Sequence, residues 1–329
     1  MPASTTPVPD LYLYQIGTES SWGTAVPQTA KLGLVDELTL SPEIEAELLP
    51  DKRASLAPAY SSTLNKSTGS AKASGICTYQ DMPYWLDSLF STATPSGANP
   101  YVRAYTGALG TIPTHKAFTL AKGTSQGYSH CYSLLGAIVN EMTIKIESGK
   151  PWMYDLGFIG KNYGTDTIDS LSDRTQTPIH ANVTTLYIDA VGGTIGTTAI
   201  STGWFAAELQ IKNNVTQYFG IGSVNPFSFR DARWEAALKL TLEIQSGPKG
   251  YLDSIIGSSL LQHQVRIKAT TGASAIQQFD FAGTLLKSPE IIKDTDGVAS
   301  LEFEYTAEYN STLANYIAAS NTNAVASLA

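Results

Sequence analysis

The clearest pattern in the chain is strict alternation. Leu238, Leu240, Leu242 and Ile244 alternate with Lys239, Thr241, Glu243 and Gln245, and Leu301, Phe303 and Tyr305 alternate with Glu302, Glu304 and Thr306. A period of two sends successive side chains to opposite faces of a pleated strand, so both segments are predicted strands with one apolar face. A strand predicted from Leu34 runs into Pro42, after which Glu43, Glu45 and Glu47 alternate with Ile44, Ala46 and Leu48 in the same way. Shorter strand-like runs are read at 11–16, 71–79, 101–105, 116–121, 128–135, 185–188, 205–211, 265–270 and 276–281. Only two runs read as helix. One is 81–90, with Asp81 as N-cap and Pro83 in the first turn, where its missing N–H costs nothing; the other is about 248–260. The chain is therefore predicted to be mainly β.

The helical runs echo one another. Tyr84-Trp85-Leu86-Asp87-Ser88-Leu89-Phe90 reappears as Gly250-Tyr251-Leu252-Asp253-Ser254-Ile255-Ile256, with Asp-Ser unchanged. Strand-like segments flank both copies in the same order. After each copy an apolar run leads through a Gly-bearing turn, Ser148-Gly149-Lys150 or Asp294 to Gly297, into a second strand with alternating aromatics. Asp296-Gly297 is a hairpin signal, because Gly accepts the positive φ such turns need. The pattern implies one fold used twice: an arm at 1–10, a first domain at 11–163, a linker at 164–183, a second domain at 184–317 and a tail at 318–329. The long polar connection 49–69 lacks periodicity, and loops of that length in a compact domain are usually binding loops. It is expected to touch another subunit.

Length permits this reading, since 329 residues hold two cores of about 150 residues each. Charged residues are few, at 15%, and the net charge is −8. That balance argues against a phosphate-binding surface, which draws its affinity from Lys and Arg, and basic residues run no longer than Lys52-Arg53. The alternating glutamates form either a solvated outer face or an acidic wall facing an enclosed channel. Cys77 and Cys131 supply neither a disulfide framework nor metal spacing and read as buried thiols in a reducing compartment. No apolar run reaches the roughly 18 residues of a membrane span.

Candidate chemistry is sparse. Gly123-Thr124-Ser125-Gln126-Gly127, with His130 nearby, fits a nucleophile elbow, but that motif needs a helix after the Ser and the residues that follow alternate like a strand. Asp294-Thr295-Asp296-Gly297 resembles the start of a calcium loop without the later bidentate Glu, whose place Phe303 takes. His115, His130, His180 and His263 are isolated. No catalytic residue, cofactor or metal is expected.

The succession Gly17-Thr18-Glu19-Ser20-Ser21-Trp22-Gly23-Thr24-Ala25, then Leu34 to Pro42, the Pro- and Ser-rich loop to Ser70, strand 71–79 and helix 81–90 resembles the major tail tube proteins of long-tailed bacteriophages. Similarity is strongest over 11–90, and element order and duplication carry it to about Asn310. The resemblance implies two tandem β-sandwich or barrel domains, each with one flanking α-helix, and a structural role without enzymatic activity. It implies rings of three tandem chains with pseudo-sixfold symmetry, stacked into a tube in the virion tail. Expected partners are further copies, a tape-measure protein, tail terminator and tail-tip proteins, with assembly in the host cytoplasm and double-stranded DNA passing through without specific binding. On this reading Glu43, Glu45, Glu47, Glu243, Glu302 and Glu304 are candidate lumen residues, and Pro50, Arg53, Pro58 and Tyr60 mark a candidate loop between rings. A two-sandwich carbohydrate-binding or virion decoration protein is the alternative, with Trp22, Trp152, Trp204 and Trp234 as possible sugar platforms.

Overall fold

The computed structural model describes residues 8–50, 53, 57–126, 129–257, 260, 262–286, 293–295 and 297–328. It is mainly β, with two helices and sheets that do not close into a barrel. In the first half the elements are β1 (Leu13–Thr18), β2 (Ala30–Lys31), β3 (Val35–Leu49), β4 (Ser61–Ile76), α1 (Met82–Leu89), β5 (Tyr101–Thr106), β6 (Phe118–Thr124), β7 (His130–Glu147), β8 (Met153–Gly160) and β9 (Asn162–Thr165). The second half has β10 (Thr184–Ala190), β11 (Ala199–Ile200), β12 (Trp204–Lys212), β13 (Thr216–Tyr218), β14 (Ser228–Arg230), β15 (Glu235–Glu243), α2 (Ser246–Ile256), β16 (Gln262–Thr270), β17 (Ile276–Leu285), β18 (Lys293–Thr295), β19 (Val298–Ala307) and β20 (Ile317–Asn323).

Pairing makes the repetition explicit. In one layer the order β3-β4-β8-β7 is repeated as β12-β15-β19 followed by the end of β17 and by β18. Seven antiparallel pairs between β7 and β12, from Ala206↔Glu147 to Lys212↔Glu141, join the two sets into one sheet. The other layer has two sheets. One runs β2-β1-β6-β7-β9 and the other β11-β10-β16-β17-β20-β5. β7 serves both layers: its first residues pair with β6 and β9, its later ones with β8 and β12. It changes layer at Gly136, whose φ of +69° suits glycine and where a Cβ would stand 2.6 Å from Trp22 Nε1.

The core lies between the layers. Leu238, Leu240 and Leu242, with Leu301, Phe303 and Tyr305, all point into it, as their alternation predicts. α1 is buried along its whole length, and Trp85 packs its ring 5.9 Å from those of Tyr154 and Phe158. Asp81 precedes α1 but makes no capping bond. Its carboxylate instead accepts hydrogen bonds from Arg174 and Gln176, a use the N-cap expectation did not include. α2 buries Leu252 and leaves Ile256 63% exposed. The difference has a local cause. Asn213, Trp234 and β20 of the second half cover α1 and its approach, through Asn213 Nδ2 on the Leu89 carbonyl, Trp234 against Phe90 and two asparagines on the Tyr79 carbonyl.

Three stretches differ from their expected form. Ten of the 21 residues of 49–69, read as an aperiodic loop, are strand: β3 runs to Leu49 and β4 begins at Ser61. Pro42 sits inside β3 at an edge, where a missing N–H is tolerated, because among the described residues β3 pairs with β4 alone. Residues 164–183 are strapped to the first half. Asp169 accepts from the backbone and receives the Gln15 side chain on its carbonyl, Asp166 binds Gln28, and Ile179 is fully buried. The stretch from 318, read as a mobile or docked tail, continues β20 between β17 and β5. Thus β5, which precedes β6 in sequence, completes the outer sheet of the other half.

Candidate functional site: a continuous acidic sheet face

Following the pairs across the long sheet shows which side chains share a face. Glu302 lies opposite Thr241 and Glu304 opposite Lys239, on the side away from Leu240 and Leu242. Lys239 lies opposite Glu208, which lies opposite Lys145. The adjacent positions are Thr143 and Asp155, then Ser74 and Glu37. Along β3 the same face continues through Glu43, Glu45 and Glu47. All six glutamates proposed from the sequence therefore fall on one face. They are joined by Glu37, Glu141, Glu147, Asp155, Glu208 and Glu235, which makes twelve carboxylates among the described residues. Six lysines share it: Lys66, Lys72, Lys145, Lys212, Lys239 and Lys293. The excess of carboxylates gives this wall a net negative field.

Part of that charge is neutralised locally. Lys66 binds Glu45 at 2.7 Å, Lys145 binds Asp155 at 2.6 Å, and Lys212 and Lys293 bind Glu141 and Glu302 at 3.0 Å. These pairs are exposed or half-exposed, so each contributes at most about 1 kcal/mol. Glu43, Glu45 and Glu47 stand apart from the other three. They lie on a two-stranded arm, β3 with β4, that extends past the sheet body, since β4 meets β8 only from Gly69 onward. Seven residues from Glu43 to Leu49 at about 3.3 Å each give the arm a reach of roughly 23 Å.

The arm exposes both faces: Ile44 is 66% and Leu48 65% exposed. Pro50, Arg53, Pro58 and Tyr60 lie at its tip and are exposed, with the Arg53 guanidinium 4.9 Å from the Tyr60 ring centroid. The remainder of the tip, 51–52 and 54–56, lies outside the described residues. Among the described residues two sheet edges are left without a partner strand, that of β3 and the outer edge of β18, whereas β17 is flanked by both β16 and β19 as far as Thr284. An unpaired edge is a template for another chain.

Other candidates resolve into structure. Ser125 sits in the β6–β7 turn, followed by strand rather than helix, and His130 Nε2 meets the Tyr12 hydroxyl at 2.9 Å. The Asp294 carboxylate accepts from the Gly297 N–H at 2.7 Å, closing a turn, while Asp296 lies outside the described residues. Cys77 and Cys131 are buried, and burial raises both thiols, Cys131 to about 11. Among the described residues no three His, Cys, Asp or Glu side chains converge to hold a metal. Trp152 is fully buried with its Nε1 on Thr184, and Trp22 packs edge-on against Phe229 and donates to the Gly136 carbonyl. Neither is a free platform for a sugar.

Sequence reasoning missed two buried polar sites. Glu19 is 5% exposed and accepts from the Gly136 and Gly23 N–H groups and the Thr119 hydroxyl; burial raises its carboxyl. His115 and Asp231 form a buried pair 116 residues apart, which no local spacing signals. The family comparison decides what this architecture belongs to. A family described as phage tail tube protein matches residues 13–307. The chain belongs to the phage tail tube protein family. Among curated proteins, none matches the chain. As a tail tube protein it is a structural component of the virion tail.

Proposed function

We propose that this tail tube protein closes head-to-tail into a ring of three chains with pseudo-sixfold symmetry, and that the rings stack into the conduit through which double-stranded DNA passes. One observation carries the reading: β7 of the first half pairs edge to edge with β12 of the second over seven residues, the kind of junction that two neighbouring copies would also make. Each half offers one edge of the β3 or β12 kind and one of the β7 or β18 kind. The chain satisfies one such meeting internally and leaves its complement open at both ends. A heterologous contact of that kind gives a ring when the rotation closes. Six four-stranded units, spaced at about 4.8 Å per strand, would make a wall about 37 Å across between backbones, and strand tilt would widen it.

The acidic face then lines the lumen, with Glu243, Glu302 and Glu304 among its residues and Glu43, Glu45 and Glu47 at its margin. A negative wall repels phosphate and lets DNA slide without specific binding. The tip carrying Pro50, Arg53, Pro58 and Tyr60 reaches the adjoining ring. The protein needs no catalytic residue for this, and its partners are the tape-measure, terminator and tail-tip proteins met during assembly in the host cytoplasm. Negative-stain microscopy together with mass in solution tests the reading. Rings or tubes with a central hole and a repeat of three chain masses are expected. Rings containing any other number of chains would overturn the threefold closure, and open filaments without a hole would overturn the conduit.

A further inference from the structure

A cleft of about 1090 Å³ opens where the 108–113 loop faces β15 and β19, lined among others by Leu109, Ile112, Trp234, Glu235, Ala307 and Tyr309. Its position in the repeat is informative. Pairing Leu40↔Ala71↔Phe158 in the first half with Leu209↔Leu238↔Tyr305 in the second places Thr68 at Glu235 and Gly160 at Ala307. The first-half counterpart of the cleft is therefore the ground around Thr68 and Gly160.

That ground is occupied. The connection from β12 to β15 bends at Asn214, φ +50°, and lays β13 and β14 across it. Gln217 Nε2 donates to the Gly160 carbonyl at 2.8 Å, Thr68 Oγ1 donates to Gln217 Oε1 at 3.2 Å, and the Ser67 N–H donates to the Val224 carbonyl at 2.8 Å. The occupant is thus the connection that belongs to the half next in order. For the second half, the half next in order is the first half of another copy. Its corresponding connection, between β3 and β4, is the arm.

We infer that the cleft is the seat of the β3–β4 arm of a neighbouring copy in the same ring; this rests on the ring reading above and specifies one of its contacts. The apolar surfaces match in kind. The arm leaves Ile44, Leu48 and Leu64 uncovered, and the cleft leaves Leu109, Ile112 and Tyr309 uncovered. Apolar area removed from water on both sides favours the contact. By the same register Ile44 takes the place of Asn213 and Ala46 that of Val215. β3 runs straight where β12 bends, so the base of the arm rests on the neighbour while its tip continues to the adjoining ring.

Site-specific photo-cross-linking tests the seat. p-Benzoylphenylalanine replaces Ile112, or in a second variant Leu48, and assembled material is irradiated and mapped by peptide mass spectrometry. The expected product joins Ile112 to residues 41–69 of another copy, and Leu48 to 108–113 or 230–237, with a ladder on denaturing gels that ends at three chains. Rings whose cross-links go to any other segment, or whose ladder runs beyond three chains, would overturn the seat and leave ring closure standing. Absence of any ring or tube in micrographs of the same material would overturn both.

Discussion

Asp231 of the second half closes on His115 of the first, with Oδ1 2.8 Å from Nε2, while Nδ1 of the same ring stands 2.7 Å from the Ser88 carbonyl. Both ring nitrogens therefore face oxygens, one from each half of the chain. The two side chains are 1% and 9% exposed, and Trp234 Nε1 also points at the carboxylate, 3.4 Å away. Removing one member of such a pair leaves the other buried without its partner, which typically costs 3–5 kcal/mol. His115→Ala is expected to lower unfolding free energy by about 3 kcal/mol in urea titration. Asp231→Asn, added to it, should cost much less than it does alone, so the double-mutant cycle should show coupling above about 1 kcal/mol.

His263 sets an acid limit on the second half. Burial lowers its pKa to about 4; Tyr251 of α2 lies with its ring 4.5 Å away, and the Tyr305 hydroxyl of β19 is 3.3 Å from Nδ1. The unfolded chain takes up this proton near pH 6.5 and the folded chain only near 4. Its contribution is complete above pH 6.5 and is lost as pH falls between those values, about 3 kcal/mol in all. Glu19, Asp81 and Asp87 act in the opposite sense: burial raises their carboxyls, so their protonation in acid favours the folded chain. Unfolding temperature against pH should therefore fall less steeply below pH 6.5 in His263→Gln than in the wild-type chain. Parallel curves would remove His263 as the acid-sensitive group.

The last strand is structural. Asn321 and Asn323 both donate to the Tyr79 carbonyl, at 3.1 and 2.7 Å, and Asn321 also donates to Gln277. Arg103 of β5, 1% exposed, reaches the Ala326 carbonyl at 3.2 Å. Asn323→Ala leaves that buried network short of a donor and should cost about 2 kcal/mol. Truncation after Tyr316 strips a strand from between β17 and β5 and is expected to yield insoluble protein, read by recovery in the soluble fraction.

These contacts also show what the sequence could and could not tell. Alternation at Leu238–Ile244 and Leu301–Tyr305 reports a strand with one wet face, because each residue's burial depends on its own strand's pleat. The same rule placed six glutamates on exposed strand faces, and the registers carry them onto one wall. The strand at 317–323 has no such signature. Its buried Asn321 and Asn323 are held by hydrogen bonds, and its apolar contribution is limited to Ile317 and Ala319, so composition reads as a tail. The pairing of β5 with β20 and of His115 with Asp231 joins residues about 116 to 220 positions apart, beyond any local pattern. The second strand of the arm was read as part of a loop because its Ser and Thr residues mimic one; the bulge at Glu45/Ala46 breaks the period where Asn65 is inserted.

The arm tip should be separable from the fold. Arg53 and Tyr60 stack on each other, and the tip's other described residues are exposed except the half-buried Ala59, so replacing 49–61 with a short Asn-Gly turn removes little buried surface. The variant is expected to unfold within about 0.5 kcal/mol of the wild-type chain in urea and to form rings that do not stack. Full-length tubes from this variant, seen by electron microscopy, would release the tip from the role of connector.

Charge reversal on the wall addresses the conduit itself. Glu243→Lys, Glu302→Lys and Glu304→Lys together change the face from twelve carboxylates and six lysines to nine of each, 12 − 3 against 6 + 3. All three side chains are half-buried at the surface and point away from the core, so the fold should survive at a cost of about 1 kcal/mol, chiefly from the Lys293–Glu302 pair. In a lumen, the same change replaces repulsion of phosphate by attraction. Lys–phosphate contacts release counterions, so their effect must weaken as salt rises. Tails carrying the triple variant are expected to assemble at normal length and to eject DNA about tenfold more slowly at low ionic strength, recovering as salt is raised through a few hundred millimolar. Ejection at the wild-type rate at every salt concentration would place these three residues outside the lumen wall, and slow ejection that ignores salt would point to altered packing rather than to charge.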